Sequence, residues 1–356
     1  MVEADGTVLE RWRERVTAAA RERTPLRLRG AGTKDFYGET LAGELIELRD
    51  WRGIVEYEPS ELVITARCGT PLSEVEAALA AHDQFLAFEP PAFGADPTIG
   101  GVIAAGLSGP RRMFAGAARD FVLGTRLLTA QGEVLRFGGQ VMKNVAGFDV
   151  SRLLCGSLGI LGVITEVSLK VLPRPRLEET LRLELTASDA VTAFNRWAAL
   201  PLPLSGASWS QGSAWLRLSG APAALRAARQ QVGGDVVPEP LAQQFWSALR
   251  DCQLPLFAAA ALWRLSLPPA SPPLALPAEP LIDWGGALRW YADLPAELPV
   301  RELASTAQGS ALRWRGPAPE GRFHPLPAGL AGLHRRLKER FDPLGIFNPG
   351  RLIAGL

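Results

Sequence analysis

The feature that most constrains this chain is the clustering of glycine. Seven glycines fall within residues 94–124. Two smaller clusters adjoin β-rich runs. One comprises Gly30 and Gly32, and the other comprises Gly156, Gly159 and Gly162. Glycine costs backbone entropy in regular structure unless its special conformations or its missing side chain are used. We therefore expect no ordinary helix or strand over residues 94–124, and we expect the backbone of the clusters to approach a large ligand closely.

The turn at residues 27–35 places two glycines directly after a short β-rich run. Successive N–H groups of such a turn can converge on an anion, so a pyrophosphate would fit there, although an ordinary surface turn fits the same residues. Asp35 stands where a G-x-G-x-x-G fingerprint needs its third glycine, and no apolar helix follows, so the pattern excludes a Rossmann nicotinamide site.

The segment at residues 96–124 is more specific, because its glycines alternate with small and polar residues. Its backbone donors could bind a diphosphate and a ring system, with Ala104 and Ala105 against an aromatic face. This combination favours ligand binding over a purely structural loop. Neither Ser108 nor Ser157 lies in a G-x-S-x-G nucleophile elbow, and no Walker loop is present, so hydrolase and phosphotransferase functions have no support.

Composition places the chain among soluble globular proteins. Its 356 residues suffice for two or three domains, and 47% of them are hydrophobic against 21% charged. A net charge of +1 gives no field that would attract nucleic acid. Three scattered cysteines and three histidines form no disulfide or metal pattern, so we expect a reducing cytosol and no metal site. No apolar run approaches the length of a membrane-spanning helix, so any membrane contact is expected to be indirect.

Hydrophobic periodicity predicts an α+β chain. An opening helix is predicted over Leu9–Ala20, and a β-hairpin is predicted from the runs Leu127–Thr129 and Val134–Phe137. A long strand starting at Val163 ends near Pro173, which gives the first domain boundary. The region beyond it reads as an α+β module without internal repeats. Six prolines in residues 266–280 predict an extended surface connector there.

Taken in order and spacing, the three glycine-rich elements resemble the FAD-binding domain of the vanillyl-alcohol oxidase/PCMH flavoprotein superfamily. The stretches KNVAGFDVSRLLCGSLGILG (residues 143–162) and FDPLGIFNPGRL (residues 341–352) are most similar to the FAD-binding E subunits of bacterial glycolate oxidases. The resemblance implies a two-subdomain FAD-binding domain over residues 1–175 and a smaller α+β cap over residues 176–329. It also implies that residues 330–356 return to the FAD domain.

The same resemblance implies which residues hold FAD. The pyrophosphate loop would be Gly30, Ala31, Gly32, Thr33 and Lys34. The flavin and its diphosphate would be lined by Gly100, Gly101, Ala105, Ser108 and Gly109. The adenine side would be held by Gly156, Gly159, Gly162 and Ile164, and Asn348 would lie near the isoalloxazine. The loop lacks the histidine that often carries covalent flavin, so FAD should be non-covalent.

Catalytic residues remain unassigned by the sequence, because the cap lacks the histidine-rich stretch of related 2-hydroxy acid dehydrogenases. His324 and His334 are the cap-side histidines, and an ordinary packing or surface role is favoured for both. Three arginines could bind a carboxylate, but their strand-like surroundings favour outward-facing, solvated side chains; they are Arg289, Arg313 and Arg315. Eight of the ten tryptophans follow Pro173, where we expect most to fill a core, with partner anchoring as the alternative.

The leading hypothesis is an FAD-binding subunit of a glycolate oxidase complex, acting on a small 2-hydroxy acid. The resemblance implies a homologous flavin subunit and an iron–sulfur subunit as partners, with any membrane association made through them. Two alternatives stay open. One is a self-sufficient FAD-dependent oxidoreductase for another alcohol or hydroxy acid. The other is a non-catalytic assembly subunit.

Overall fold

The computed structural model describes residues 2–94, 96–139, 149–353 and 355, so residues 143–148 of the third glycine-rich element lie outside the described residues. The helices are α1 (Val2–Glu22), α2 (Leu72–Ala80), α3 (Ile99–Ala105), α4 (Arg112–Ala115), α5 (Ala118–Phe121), α6 (Val150–Leu154), α7 (Ala187–Ala198), α8 (Pro222–Val232), α9 (Glu239–Arg250), α10 (Val300–Thr306) and α11 (Ala328–Phe341). The strands are β1 (Leu26–Arg29), β2 (Glu44–Glu47), β3 (Ile54–Glu58), β4 (Val63–Arg67), β5 (Gln84–Phe85), β6 (Val122–Leu128), β7 (Val134–Gly138), β8 (Val163–Lys170), β9 (Leu172–Pro173), β10 (Leu177–Glu184), β11 (Leu204–Ser210), β12 (Ser213–Gly220), β13 (Asp235–Val237), β14 (Leu262–Ser266), β15 (Leu281–Asp283), β16 (Leu288–Ala292) and β17 (Ser310–Arg315).

The first layer joins α1 to the parallel pair β1–β2. The apolar face of α1, which includes Trp12 and Val16, packs on Leu26 and Ile46. Phe347 joins the same core and forms a parallel bridge with Leu26, so the segment after α11 lies beside β1. The helix predicted over Leu9–Ala20 is confirmed, and it is longer than its apolar repeat because α1 begins at Val2.

The second layer is an antiparallel five-stranded sheet in the order β3-β4-β8-β6-β7. Its β6–β7 pair confirms the predicted hairpin, with Leu127 opposite Leu135. Helices α2 and α3 pack on this sheet and share its core. The expectation of no ordinary helix or strand over residues 94–124 is wrong, since α3, α4 and α5 lie within this range and β6 begins at Val122. Thr98 caps α3, and the glycines of its first turn fit close packing.

The cap is an antiparallel eight-stranded sheet in the order β13-β10-β12-β11-β15-β16-β14-β17. It consists of two four-stranded halves with the same topology, in which the first and third strands of each half are central. One residue pair, Trp209 with Ile282, joins the halves. The sequence shows no repeat because helix α7 of the first half is replaced in the second by residues 267–280. As predicted, these proline-rich residues form no helix or strand.

The two faces of the cap sheet have different neighbours. In the first half, α7 and α8 cover one face, while Phe245 and Trp246 of α9 cover the other. In the second half, the face that carries Trp290 and Trp314 packs against Tyr37 and other residues of the N-terminal domain. Tryptophans do fill the cap core, as expected; those that are buried are Trp197, Trp209, Trp246, Trp284, Trp290 and Trp314.

Candidate cofactor and substrate sites

The loop after β1 presents backbone N–H groups without protein acceptors. Within the described residues, none of the N–H groups of residues 30–34 donates a hydrogen bond to a protein group. Gly32 adopts the left-handed region with φ +75°, and the turn closes through the N–H of Asp35, which donates to the Gly32 carbonyl (3.0 Å). A turn with a run of free N–H groups is a geometry that binds anions.

The charges around this loop are mostly positive. The carboxylate of Asp35 is held by the guanidinium groups of Arg27 (3.1 Å) and Arg29 (2.8 Å). Lys34 makes no ion pair with a described residue, and its Nζ lies 5.5 Å from the ring centroid of Phe93. Burial lowers the pKa of Lys34 to about 8, an effect that the charge of Asp251 partly opposes. The loop therefore places the Lys34 ammonium, whose charge depends on pH near 8, beside its free N–H groups.

Helix α3 contributes close backbone packing. A Cβ at Gly100 would lie 2.6 Å from the Cβ of Cys68, and a Cβ at Gly106 would lie 2.9 Å from the Cα of Gly156. The N–H groups of Gly100 and Gly101 already donate to the Cys68 carbonyl (2.8 Å) and to Thr98 Oγ1 (3.3 Å). The sequence predicts that this segment supplies backbone donors, but these two donors are engaged within the protein.

Asn348 connects the end of the chain to both glycine turns. Its N–H donates to the Leu26 carbonyl (2.9 Å), and its Oδ1 accepts from the N–H of Leu28 (2.8 Å). Its Nδ2 donates to the Leu158 carbonyl (2.7 Å). A Cβ at Gly159 would lie 2.8 Å from this Nδ2. Both polar atoms of the side chain are thus bonded to the protein at the junction of the two turns.

A narrow cleft brings many of the predicted residues together, with a volume of about 70 Å³. The predicted residues that line it are Gly30, Gly100, Gly101, Gly159, Gly162, Ile164 and Asn348. Thr98 and Cys68 complete its wall beside α3. The cleft opens next to the loop of free N–H groups, since Gly30 belongs to both.

Eight predicted residues lie outside the lining of this cleft. Four of them, Ala31, Gly32, Thr33 and Lys34, belong to the loop described above, and the other four lie elsewhere. Ala105 is buried in the core shared with the cap, and the Oγ of Ser108 accepts from the N–H of Ala118 (2.9 Å). The Gly109 carbonyl accepts from Trp284 Nε1 (2.9 Å), and the N–H of Gly156 donates to the Ile103 carbonyl (3.0 Å). Their assignment to the cofactor stays a prediction.

A second and much larger cavity, of about 1030 Å³, lies between the cap and α11. Arg264 of β14 and Tyr37 both line it. The Arg264 guanidinium lies 5.2 Å from the ring centroid of Trp284 and 5.7 Å from that of Trp290, and it makes no hydrogen bond or ion pair with a described residue. Burial lowers the pKa of Arg264 and raises that of Tyr37. Sequence reasoning missed Arg264; the signal was one cation in the apolar strand LWRLS.

Both cap-side histidines line this cavity. His324 Nδ1 accepts from the N–H of Ala311 (3.3 Å), which leaves Nε2 to donate to Ser305 Oγ (3.2 Å). Burial lowers the pKa of His324, and the charge of Arg301 acts in the same direction, so the ring is neutral at pH 7. His334 is partly buried on α11 and makes no hydrogen bond with a described residue.

The three arginines considered as carboxylate ligands have different surroundings. Arg289 is fully buried, and its guanidinium donates to the carbonyls of Gly286 (3.2 Å) and Pro272 (2.7 Å) and to that of Ser271. The expectation of an outward-facing Arg289 is therefore wrong, because the proline-rich segment folds over it and supplies acceptors. Arg313 stacks on Trp263, and Arg315 is exposed.

The described residues contain no group of three or more His, Cys, Asp and Glu side chains that could hold a metal ion. None of their helices has both the length and the apolar composition needed to cross a bilayer.

Comparison with known proteins identifies the N-terminal domain. A family model described as an FAD binding domain matches residues 8–138. A solved structure of alkyldihydroxyacetonephosphate synthase superposes with a TM-score of 0.66 at 16% identity, covering 96% of this chain and 75% of that one. The fold is therefore that of a PCMH-type FAD-binding protein with a cap.

Two curated relatives define the family more closely. Glycolate oxidase subunit GlcD of Bacillus subtilis (strain 168) is 32% identical over 47% of this chain and 36% of its own length. Glycolate oxidase subunit GlcE of Escherichia coli (strain K12) is 48% identical over 96% of this chain and 97% of its own length. The chain belongs to the family of GlcE-type, FAD-binding glycolate oxidase subunits.

Proposed function

We propose that this chain is the FAD-binding subunit of a complex that oxidises glycolate to glyoxylate. The observation that carries the proposal is the row of free N–H groups at residues 30–34, which adjoins a cleft lined by glycine. A diphosphate needs such donors, and a mononucleotide moiety needs the missing side chains. Family membership supports glycolate as the substrate.

The residues present fit the diphosphate and one further part of FAD. The diphosphate would accept hydrogen bonds from residues 30–34, with the charge of Lys34 nearby. The cleft beside Gly159 and Gly162 would take the adenine side, and its volume of about 70 Å³ suits one part of a dinucleotide only. The remainder would extend toward the cap. Thr33 and Lys34 occupy the place of a flavin-linking histidine, so binding is non-covalent.

The cap side of the site would hold the substrate. When bound, FAD supplies a hydride acceptor for oxidation of the C–OH group. Arg264 is suited to bind the substrate carboxylate, since its guanidinium lines the large cavity and has no anionic partner among the described residues. The rings of Trp284 and Trp290 hold this guanidinium in place and reduce its contact with water.

A base near the substrate hydroxyl would complete the chemistry. His324 is poorly placed for this role, because both of its ring nitrogens are engaged by Ala311 and Ser305. His334 lines the same cavity with no hydrogen-bond partner among the described residues, so it is the better candidate. Three scattered cysteines cannot ligate an iron–sulfur cluster, so we propose that electrons leave through an iron–sulfur subunit beside a homologous flavin subunit.

The test is to purify the full chain alone and together with its partner subunits, and to record flavin spectra before and after anaerobic addition of glycolate. Bound FAD in the isolated chain and bleaching by glycolate in the preparation with partners support the proposal. A flavin-free product in both preparations would overturn it and favour a non-catalytic assembly subunit.

A second function, that of a self-sufficient FAD-dependent oxidoreductase, is favoured by one observation. Arg264 and His334 line one cavity of about 1030 Å³, so a carboxylate-binding cation and a candidate base are contributed by the same chain. Bleaching of the isolated chain by glycolate or another hydroxy acid, lost in Arg264→Met and His334→Gln but kept in His324→Gln, would establish this function.

A further inference from the structure

Arg351 is a buried cation whose side-chain hydrogen bonds all go to one loop, residues 34–39. Its side chain is 5% exposed. The guanidinium donates to backbone carbonyls of Lys34 (3.2 Å), Asp35 (2.9 Å), Tyr37 (2.5 Å) and Glu39 (2.6 Å). It forms no ion pair with a described residue, and the carboxylates of Asp35 and Glu39 act on its charge only at longer range.

These contacts fix one end of the loop that carries the free N–H groups. The other end is fixed by Asn348, which bonds to the backbone of Leu26, the first residue of β1, and of Leu28, the third. The N–H of Arg351 in turn donates to the Asn348 carbonyl (3.1 Å), so both anchors belong to one short turn. Residues 30–34 therefore span two points that are held by the same C-terminal segment.

Anchoring both ends has two physical consequences. It removes conformational freedom from the span, so less entropy is lost when an anion orders the N–H groups. It also places a positive charge against the loop, in a buried position where solvent screens it weakly. Both effects favour an anionic group in front of residues 30–34.

We propose that Arg351 is a positioning residue for the cofactor: it holds the carbonyls of residues 34–39 so that the N–H groups of residues 30–34 remain aligned for the FAD diphosphate. The proposal rests on the cofactor site proposed above. Arg351 does not touch the reacting atoms, and it acts through the loop.

The chain offers a matched control in Arg289. This arginine is also buried and also donates to several backbone carbonyls, but all of them belong to the cap. Arg351→Met and Arg289→Met therefore remove the same kind of contact. Both variants are expected to lower the unfolding midpoint, whereas only the first should weaken FAD.

The measurement is an FAD titration of the full-length apoprotein, followed by quenching of flavin fluorescence. Arg351→Met should misalign the loop so that at least one of its N–H groups no longer bonds to the charged diphosphate. Loss of one such hydrogen bond costs about 1.5 kcal/mol or more, so the Kd for FAD should rise at least about tenfold. Arg289→Met should leave the Kd within about twofold. Equal effects of the two variants would overturn the positioning role.

Two further results separate the possible failures. Arg351→Lys keeps the charge but cannot bond to four carbonyls at once, so it should fold and still raise the Kd several-fold. Wild-type affinity in this variant would refute the inference even if Arg351→Met fails to fold. Absence of FAD binding by the unmodified chain would instead refute the proposed cofactor site.

Discussion

The ion pair of Lys338 and Asp342 gives a quantitative prediction about stability. Lys338 Nζ donates to Asp342 Oδ2 (2.6 Å) and to the carbonyls of Ile160 (2.7 Å) and Phe347 (2.8 Å). The carboxylate also accepts from the N–H groups of Ile346 (3.1 Å) and Phe347 (2.8 Å). Lys338 is 5% exposed and Asp342 1%. Lys338→Met keeps most of the volume but leaves the carboxylate buried without its cation.

Removing one partner of a buried pair costs about 3–5 kcal/mol. We expect about 3 kcal/mol for Lys338→Met, because two backbone N–H groups still hold the Asp342 carboxylate. Asp342→Asn should also destabilise, and the double variant should lose less than the two single losses added together. The assay is urea unfolding of all four proteins at pH 7, which gives the coupling energy of the pair.

The matched control is the exposed pair of Arg11 and Asp50, whose side chains are 55% and 64% exposed. Arg11→Met should change the free energy of unfolding by less than about 1 kcal/mol. If Lys338→Met costs no more than Arg11→Met, or if the two single losses simply add, the assigned role of the buried pair is incorrect.

Three other predictions concern the sites. Gly159→Ala places a side chain at a residue with φ +74° and directs it toward Asn348 Nδ2. The free energy of unfolding should therefore fall by at least about 1–2 kcal/mol, and the affinity for FAD should fall as well. Urea and FAD titrations that match those of the unmodified chain would contradict this. FAD affinity should decline as pH rises through about 8, where Lys34 loses its charge, and Lys34→Met should flatten that profile; a slope that persists in the variant rules Lys34 out. Burial raises the pKa of Asp283 to about 7, well above its value of about 3.9 in unfolded chains. The unfolded state then binds fewer protons between pH 4 and pH 7, so stability should fall across that window by up to about 4 kcal/mol, and Asp283→Asn should remove the decline in urea unfolding.

Local patterns predicted those elements whose burial follows from their own sequence. The apolar repeat of α1 and the alternating strands of the β6–β7 hairpin are of this kind. Helix α3 was missed because its glycines argue against a helix, whereas packing against Cys68 requires them. The duplication of the cap was invisible because strand order is a matter of long-range pairing, and the second half lacks a helix equivalent to α7.

The candidate site likewise contains residues that were located from the sequence and residues that were missed. The resemblance located the glycine turns and Asn348, which share the cleft. Arg264 and Arg351 escaped notice because the groups that define their roles come from distant parts of the chain. Arg351, for example, is separated from Asp35 by 316 positions, and the local sequence NPGRL does not predict that contact. Arg289 was misjudged because the segment that buries it carries no periodic signal.

The bonds made by Asn348 and Arg351 also set an order of events during synthesis. The loop at residues 30–34 emerges early from the ribosome, yet its two anchors are translated only after the entire cap. A nascent N-terminal domain therefore contains the glycines of the loop before the contacts of Asn348 and Arg351 can fix the conformation of that loop. We therefore expect cofactor capture to be a late step in maturation, and a released chain that stops before Asn348 should stay colourless.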